Sequence, residues 1–386
     1  MRIIAATLAA FLVLPGVASA DPYWELKPTG TDARLRGLSA VSGQVAWVSG
    51  SKGTVLRTTN GGRTWDSVGP PGAEALEFRD VEAFDARNAV ALSIGEGESS
   101  RIYRTSDGGR TWQESFRNTD PKAFYDCVAF FDRFRGLALS DPVDGKFRVL
   151  RTGDGGRSWH VDDTKGMPDA LPGEFAFAAS GQCVTTSGNH AWIATGGGAR
   201  ARVLESRDGG RSWHVDDTKG MPDALPGEFA FAASGQCVTT SGNHAWIATG
   251  GGARARVLES RDGGRSWKAS DVPLPSGAAA GVFAVAFKTP WRGVAIGGDY
   301  LKPTDPTPAF ATNDGRGWTA GTTAPVGYRS GIAYRGSGLV AVGPSGTDTS
   351  RDGRTWEVVD TGSFDTVDCV GGTCWAAGEK GRVGRA

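Results

Sequence analysis

One stretch of this chain occurs twice. Residues 154–213 read DGGRSWHVDDTKGMPDALPGEFAFAASGQCVTTSGNHAWIATGGGARARVLESRDGGRSW, and residues 208–267 repeat that text letter for letter. The copies are offset by 54 residues and overlap only in DGGRSW, Asp208–Trp213. Internal repetition at this spacing is typical of propellers and solenoids.

The overlapping segment DGGRSW belongs to a series of tight turns. Its seven occurrences and variants are Asn60–Trp65, Asp107–Trp112, Asp154–Trp159, Asp208–Trp213, Asp262–Trp267, Asp314–Trp318 and Asp352–Trp356. Asp or Asn accepts hydrogen bonds from backbone N–H groups of a turn, and Gly supplies a positive φ. The Trp that follows opens a strand and covers apolar surface. The last two variants have a single Gly after the Asp, which predicts a tighter turn.

The segments between turns align as short strands. In one period these are a mainly apolar strand such as Phe78–Phe84, a strand ending in Gly such as Ala191–Gly196, and a strand running up to the turn such as Arg101–Thr105. A fourth strand such as Trp65–Val68 follows the turn. Four antiparallel strands repeated radially make a propeller blade. The sequence therefore predicts an all-β fold, a β-propeller of four-stranded antiparallel blades.

The two ends of the chain complete the blade count. Three further strands follow the last turn, at Phe364–Cys369, Cys374–Gly378 and Gly381–Arg385, without a fourth. Tyr23–Leu26 resembles Thr355–Val358, so we expect the N-terminal strand to pair with the last sheet and close the ring, which removes open edges. The prediction is eight blades, seven plus the duplicate 208–261, in one domain spanning 21–386.

The N-terminal segment has the pattern of a targeting sequence. Arg2 precedes the apolar run Ile3–Val17, and Ala18–Ala20 forms a small-residue cleavage site. We expect a signal peptide at 1–20 and a periplasmic or secreted product without membrane insertion, since no later apolar run is long enough to span a bilayer. The 42 Lys and Arg residues balance the 42 Asp and Glu residues, so the chain has no net positive charge that would attract nucleic acid.

Five cysteines leave the redox chemistry open. Cys127, Cys183, Cys237 and Cys369 each precede a Val, which suggests one recurring inner-strand position and favours buried, unpaired thiols. Cys369 and Cys374 are close enough in sequence to bridge a hairpin if the register allows it.

The turns resemble the Asp-box, or bacterial neuraminidase repeat. Ala46–Trp65 is similar to the photosystem II stability/assembly factor-like propellers, and the resemblance covers residues 22–386. Phe124–Cys127, Ser140–Phe147 and Gly297–Tyr300 are similar to an exported bacterial branch whose members often carry a loose oxidoreductase or glycosyl hydrolase label. The resemblance implies a seven-bladed ring, from which this chain departs by one blade. Fold does not imply function, so the motif says little about chemistry.

Enzyme signatures are weak in this sequence. The Arg-Ile-Pro signature of sialidases is absent, and Gly196–Gly198 joins two strands rather than forming a dinucleotide-binding turn. We expect no catalytic residue, no cofactor and no metal, with the histidines as surface residues. A glycosidase carboxylate pair drawn from Asp80, Asp126, Asp141 and Asp299 remains an alternative.

Propellers usually bind ligands at the channel mouth opposite the Asp-box turns, on the strand 2–3 loops and the connections into strand 1. The predicted ligand face comprises Arg79, Asp80, Tyr125, Asp126, Asp141, Asp144, Lys146, Asp299, Tyr300, Lys302, Tyr328 and Arg329. A solvated rim is the competing interpretation. We expect an exported, monomeric, non-enzymatic scaffold that binds a protein or peptide and serves as an assembly or stability factor. The alternative is a sialidase-like glycoside hydrolase or lyase acting on a glycan.

Overall fold

The structure is a computed structural model, and it describes residues 23–162, 166–176, 184–196, 202–215, 221–229, 237–307, 310–321, 323 and 327–386. The predicted signal peptide at 1–20 lies outside these residues. Eight four-stranded antiparallel sheets form a β-propeller, which confirms the predicted fold and blade number. The innermost strands of successive sheets contact one another all the way round the ring.

We number the blades from the N-terminus. Blade 1 holds β2 Leu35–Ala40, β3 Ala46–Gly50, β4 Val55–Thr58 and β5 Asp66–Ser67; blade 2 holds β6 Glu77–Ala83, β7 Ala89–Ile94, β8 Arg101–Thr105 and β9 Gln113–Arg117. Blade 3 holds β10 Tyr125–Phe130, β11 Gly136–Val143, β12 Lys146–Thr152 and β13 His160–Val161; blade 4 holds β14 Val184–Ser187, β15 His190–Thr195, β16 Arg202–Ser206 and β17 His214–Val215.

The second half follows the same order. Blade 5 holds β18 Val238–Ser241, β19 His244–Thr249, β20 Arg256–Ser260 and β21 Lys268–Asp271; blade 6 holds β22 Ala280–Thr289, β23 Arg292–Asp299, β24 Phe310–Asn313 and β25 Trp318–Ala320. Blade 7 holds β26 Gly331–Arg335, β27 Gly338–Gly343, β28 Gly346–Ser350 and β29 Trp356–Asp360; blade 8 holds β30 Thr366–Val370, β31 Thr373–Ala377, β32 Val383–Arg385 and β1 Glu25–Leu26. Two 3-10 turns, Gly97–Ser99 and Glu379–Gly381, are the helical segments among the described residues.

The Asp-box turn is held by one carboxylate. Asp107 Oδ1 accepts hydrogen bonds from Thr105 Oγ1 (3.0 Å) and Thr111 N (3.0 Å), and its Oδ2 accepts one from Thr111 Oγ1 (2.7 Å). These bonds, led by the Thr111 N–H, lower the pKa of Asp107 to about 2. Gly108 and Gly109 take φ values of 81° and 80°, which a residue with a Cβ rarely adopts. This turn is therefore fixed by its own sequence.

The Trp that ends each turn packs toward the preceding blade. Trp112 of blade 2 meets Trp47 of blade 1 edge-on at 6.4 Å between ring centroids. Trp65 of blade 1 meets Trp375 of blade 8 in the same way at 5.8 Å. Edge-to-face aromatic pairs stabilise beyond their burial. The turn motif therefore also cements the blade interfaces.

The N-terminal strand closes the ring as predicted. Glu25 lies opposite Arg385, and Leu26 lies opposite Gly384. The preceding Trp24 is buried, and its indole N–H donates to Thr347 Oγ1 of blade 7 (2.8 Å). Blade 8 is thus built from both ends of the described chain.

The cysteines differ from the favoured expectation. Cys369 and Cys374 are opposite each other in the β30–β31 hairpin and form a disulfide, with Cα atoms 4.1 Å apart. Cys127 is also disulfide-bonded. The expectation of unpaired thiols is therefore wrong at Cys127 and Cys369, and the hairpin bridge between Cys369 and Cys374 that the sequence left open is present. Cys183 lies outside the described residues, and burial raises the pKa of the Cys237 thiol to about 12.

The duplicated blades do not pack equally well against their followers. Trp246 of blade 5 stacks on Phe287 of blade 6, with ring centroids 3.6 Å apart and an interplanar angle of 8°. Trp192 holds the same place in blade 4, but the position of Phe287 is taken in blade 5 by Ser241. Among the described residues, the aromatic stack is therefore missing at the interface between blades 4 and 5. That interface is the one the duplication adds.

Deleting residues 208–261 should remove this weaker interface and leave every turn in phase. Arg207 would then precede Asp262, and Trp192 would meet Phe287. We expect the variant to fold and to melt at a temperature no lower than the full chain, measured by thermal unfolding with size-exclusion chromatography.

The control is deletion of 66–112, which is also in phase but joins blades that are not duplicates. It should melt well below the full chain. A 208–261 deletion that unfolds or melts as low as this control would mean that all eight blades are needed.

Candidate ligand-binding mouth

Four innermost strands, β2, β6, β10 and β22, share a β-bulge near their first residues. The bulges fall between Leu35 and Gly37, Phe78 and Asp80, Tyr125 and Cys127, and Val282 and Ala284. A bulge inserts one extra residue and re-aims its side chain. The extra residues are Arg36, Arg79, Asp126 and Phe283. They lie at the strand ends opposite the Asp-box turns, on the face that the sequence predicts to bind a ligand.

Blade 1 contributes two arginines to this mouth, and blade 8 contributes a carboxylate. Arg34 Nε and Nη2 donate to the two carboxylate oxygens of Asp365, at 2.8 and 2.7 Å. Arg36 has no such partner, and its buried Nε makes no hydrogen bond among the described residues. Burial first, and then the charges of Arg79 and Arg34, lower the pKa of Arg36. A ligand with acceptor atoms would provide the hydrogen-bond partner that this guanidinium lacks.

Blades 2 and 3 add further charged side chains to the mouth, next to those of blade 1. Arg79 is buried and donates to Glu77 Oε1 at 2.6 Å. Burial and the nearby Asp141 raise the pKa of the Asp126 carboxyl well above its usual range. Burial also raises the pKa of Asp141 to about 6, although its carboxylate accepts a hydrogen bond from Ala176 N at 3.0 Å. This part of the mouth therefore mixes cationic and protonatable groups.

Deeper in the channel, side chains of one innermost strand cap the free edge of the next. Asp80 accepts a hydrogen bond from Val128 N (3.1 Å), and Asp368 accepts one from Ala40 N (3.0 Å). An innermost strand has an unpaired edge, and a buried N–H left without an acceptor is costly. These carboxylates therefore stabilise the contacts between neighbouring blades. They also crowd Glu82, where burial and the charge of Asp368 raise the pKa to about 7.

Blades 6 and 7 bring aromatic side chains to the same face. Phe283 meets Tyr328 edge-on at 4.7 Å and Tyr300 at 6.1 Å between ring centroids. Tyr300 and Leu301 are exposed, with 44% and 70% of their surface accessible. Exposed apolar groups beside a concave mouth mark interaction surfaces more often than single scattered ones do.

The twelve predicted face residues divide into three groups. Three are exposed or half-buried at the mouth: Asp141, Asp299 and Tyr300. Six are buried, so that their reach to a ligand is limited: Arg79, Asp80, Tyr125, Asp126, Tyr328 and Arg329. Three lie farther out: Asp144 in the β11–β12 turn and Lys146 at the start of β12, which form ion pairs with Lys122 (2.7 Å) and Asp169 (2.7 Å), and the exposed Lys302.

Tyr125 and Arg329 are structural rather than ligand-facing. Tyr125 packs on Phe116 at 5.3 Å in the core, and burial raises the pKa of its hydroxyl to about 12. Arg329 is fixed by Asp348 and donates to Ser345 Oγ at 2.8 Å. Truncating either residue would test stability rather than binding.

Sequence reasoning missed four residues of the channel, namely Arg36, Glu82, Phe283 and Asp368. Arg36 and Phe283 hold the place of Arg79 and Asp126 after an apolar residue, so the repeat alignment contained the signal. Glu82 and Asp368 had none, because the twist of a strand decides which side chains enter the channel. Among the described residues, no group of His, Cys, Asp and Glu has the geometry to hold a metal ion, and no helix has the length and apolarity to cross a membrane.

Comparisons with known proteins place this fold among solved propellers. No protein-family model matches the chain, and no curated protein matches it. YCF48 bound to D1 peptide is similar at 15% identity and a TM-score of 0.55, over 97% of this chain and 99% of that one. YCF48 from Cyanidioschyzon merolae gives 15% and 0.55 over 94% and 98%, and the computationally designed Ika8 protein gives 12% and 0.59 over 92% and 96%.

At these identities the likeness shows the fold. The class that fold and mouth define is a β-propeller with a polar and aromatic channel entrance. The particular proteins it is similar to include YCF48.

The channel carboxyls make stability depend on pH in a defined direction. In the folded chain Glu82 keeps its proton up to about pH 7, whereas an unfolded glutamate releases it near 4.5. Between these values the folded state binds more protons, so stability falls as pH rises. We expect a lower melting temperature at pH 8 than at pH 5.5, and Glu82→Gln should reduce that difference.

The matched control is Glu357→Gln on exposed β29, which should leave the pH profile unchanged. Thermal unfolding across pH 5–8 measures both. A Glu82→Gln profile identical to that of the full chain would show that Glu82 ionises freely.

Proposed function

We propose that this chain is an exported β-propeller that binds an extended segment of a protein or peptide at the channel mouth, without catalysing a reaction. The observation that carries the proposal is that charged and aromatic side chains occupy different parts of the mouth. The charged side chains come from blades 1 to 3, and the aromatic side chains come from blades 6 and 7. Arg36 offers donors for backbone carbonyls or carboxylates. Tyr300 and Leu301 offer apolar surface for side chains. An extended peptide presents both kinds of group at once.

Two further findings support the proposal. A structural neighbour is described as YCF48 bound to D1 peptide, so this architecture holds a peptide in at least one case. The disulfides at Cys127 and Cys369–Cys374 favour an oxidising compartment, in agreement with the predicted signal peptide. An exported peptide-binding scaffold can assist assembly of an envelope complex, which is the role we infer.

A peptide selection tests this function. Random 12-residue peptides displayed on phage would be selected on the purified protein, and the enriched peptides measured by calorimetry. The double substitution Tyr300→Ala with Leu301→Ala should weaken binding about tenfold or more, because aromatic anchors dominate interface energetics. Arg36→Gln should weaken peptides that carry acidic groups.

Phe134→Ala is the matched control, since Phe134 is 61% exposed on the Asp-box face. It should bind the selected peptides as the parent does. Equal affinity of the mouth variants and the parent, or no enrichment at all, would contradict peptide binding at the mouth.

A glycoside hydrolase or lyase is the second candidate. The observation in its favour is the neighbouring pair Asp126 and Asp141, since the raised pKa of Asp141 suits a general acid. Burial of Asp126 weighs against a nucleophile or base there. We therefore expect no turnover of sialosides or polysaccharide fragments in a reducing-end assay. Turnover that Asp141→Asn abolishes would replace the binding proposal with the catalytic one.

A further inference from the structure

A cleft opens between blades 6 and 7 on the Asp-box face, away from the channel mouth. Its volume is about 390 Å³, and its walls include Trp291, Thr312, Asp314, Tyr334, Asp352 and Arg354. Ligand pockets of a few hundred Å³ with aromatic walls and a few polar groups are typical of small-molecule sites.

The cleft follows from a change in the sequence. Its two flanking turns, Asp314–Trp318 (DGRGW) and Asp352–Trp356 (DGRTW), are each one residue shorter than DGGRSW. Blades 6 and 7 are the one pair of neighbouring blades in this sequence whose turns are both short. Both turns that border the cleft are therefore shortened. The exposed hairpin residue Trp291 stands above it.

Shortening also breaks the hydrogen bonds of the blade 6 turn. In the complete turns, the Ser or Thr two residues before the Asp donates to Oδ1 and accepts from the second Gly N–H, as Thr152 does with Asp154 (2.8 Å) and Gly156 (3.0 Å). Thr312 holds that place in blade 6. It is 6% exposed, and its Oγ1 has no hydrogen-bond partner among the described residues. A buried hydroxyl in this state needs a partner.

The two aspartates of the short turns have lost a partner as well. In the turns of blades 2 to 5, a Ser or Thr hydroxyl donates to the second carboxylate oxygen, as Ser158 does to Asp154 Oδ2 (2.7 Å) and Ser266 to Asp262 Oδ2 (2.6 Å). Among the described residues, no hydroxyl group donates a hydrogen bond to Oδ2 of Asp314 or of Asp352. Gly317 replaces the hydroxyl residue in blade 6, and the Asp314 Oδ2 to Arg354 Nη2 distance is 3.8 Å.

Two aromatic rings complete the walls. Trp291 is 50% exposed and is steadied by Arg261, whose guanidinium carbon lies 5.1 Å from the ring centroid. Tyr334 donates its hydroxyl to Arg292 O at 3.4 Å. A ring face with an adjacent carboxylate suits a pyranose, whose C–H groups pack on the ring while its hydroxyls donate to the carboxylate.

We propose that this cleft binds a neutral glycan. Asp314 and Asp352 are balanced by Arg292 and Arg354, so the cleft has no net charge to attract an ionic ligand. The missing partners are hydroxyl donors at both carboxylates and a partner for the Thr312 hydroxyl. A sugar supplies vicinal hydroxyls that both donate and accept. The site is independent of the peptide-binding mouth.

The test uses the full chain with four neutral hexasaccharides, namely cellohexaose, maltohexaose, chitohexaose and mannohexaose, measured by calorimetry and saturation-transfer NMR. At least one should bind with a dissociation constant in the millimolar range or tighter. Trp291→Ala should weaken it about tenfold or more. Asp352→Asn should also weaken it, and the turn should survive because Asn60 holds the same place in blade 1.

Two controls separate the cleft from the rest of the molecule. Asp107→Asn makes the same change in a complete turn and should leave binding unaltered. Replacing DGRGW at Asp314–Trp318 by DGGRSW should rebuild the turn and abolish binding. The proposal is overturned if no hexasaccharide binds below about 10 mM. It is equally overturned if Trp291→Ala and the rebuilt turn bind as the parent does.

Discussion

The fold depends on the hydrogen bonds that one Asp, or Asn60 in blade 1, accepts within the turns of blades 1 to 5. By gathering the hydroxyl and N–H groups around it, Asp107 or its counterpart fixes the turn that carries the next Trp toward the neighbouring blade. Turn and interface are therefore one device repeated at each period. Where the device is complete, as in blades 2 to 5, both carboxylate oxygens have hydrogen-bond partners within the turn. Where it is shortened, at Asp314 and Asp352, polar atoms and space are released together.

The architecture was readable from the sequence because its signals are local. The turn motif, the four-strand period and the likeness of Tyr23–Leu26 to Thr355–Val358 were enough to predict eight blades and closure by the N-terminal strand. The cysteines show the limit of this reading. Pairing of Cys369 with Cys374 depends on strand register, which a one-residue slip would change.

The candidate mouth was predicted less completely, for a physical reason. Topology assigns residues to one end of the ring, and this placed Asp141 and Tyr300 correctly at that end. Whether a side chain points into the channel or into the core depends on bulges and twist. Tyr125 turned inward against Phe116, whereas Arg36 entered the mouth through a bulge that the alignment contained but the prediction did not use.

The identical sequences of blades 4 and 5 also affect how the chain folds. Blade 6 presents Phe287 to whichever Trp reaches it first, and Trp192 and Trp246 sit in the same local sequence. A ring in which blade 6 docks on blade 4 makes the native stack while the intervening copy is looped out. We therefore expect two ways to close the ring that share this aromatic stack, one with blade 5 included and one without it, and repeat proteins are prone to this kind of misassembly. They differ in which Trp stacks on Phe287 and in whether blade 5 packs between blades 4 and 6.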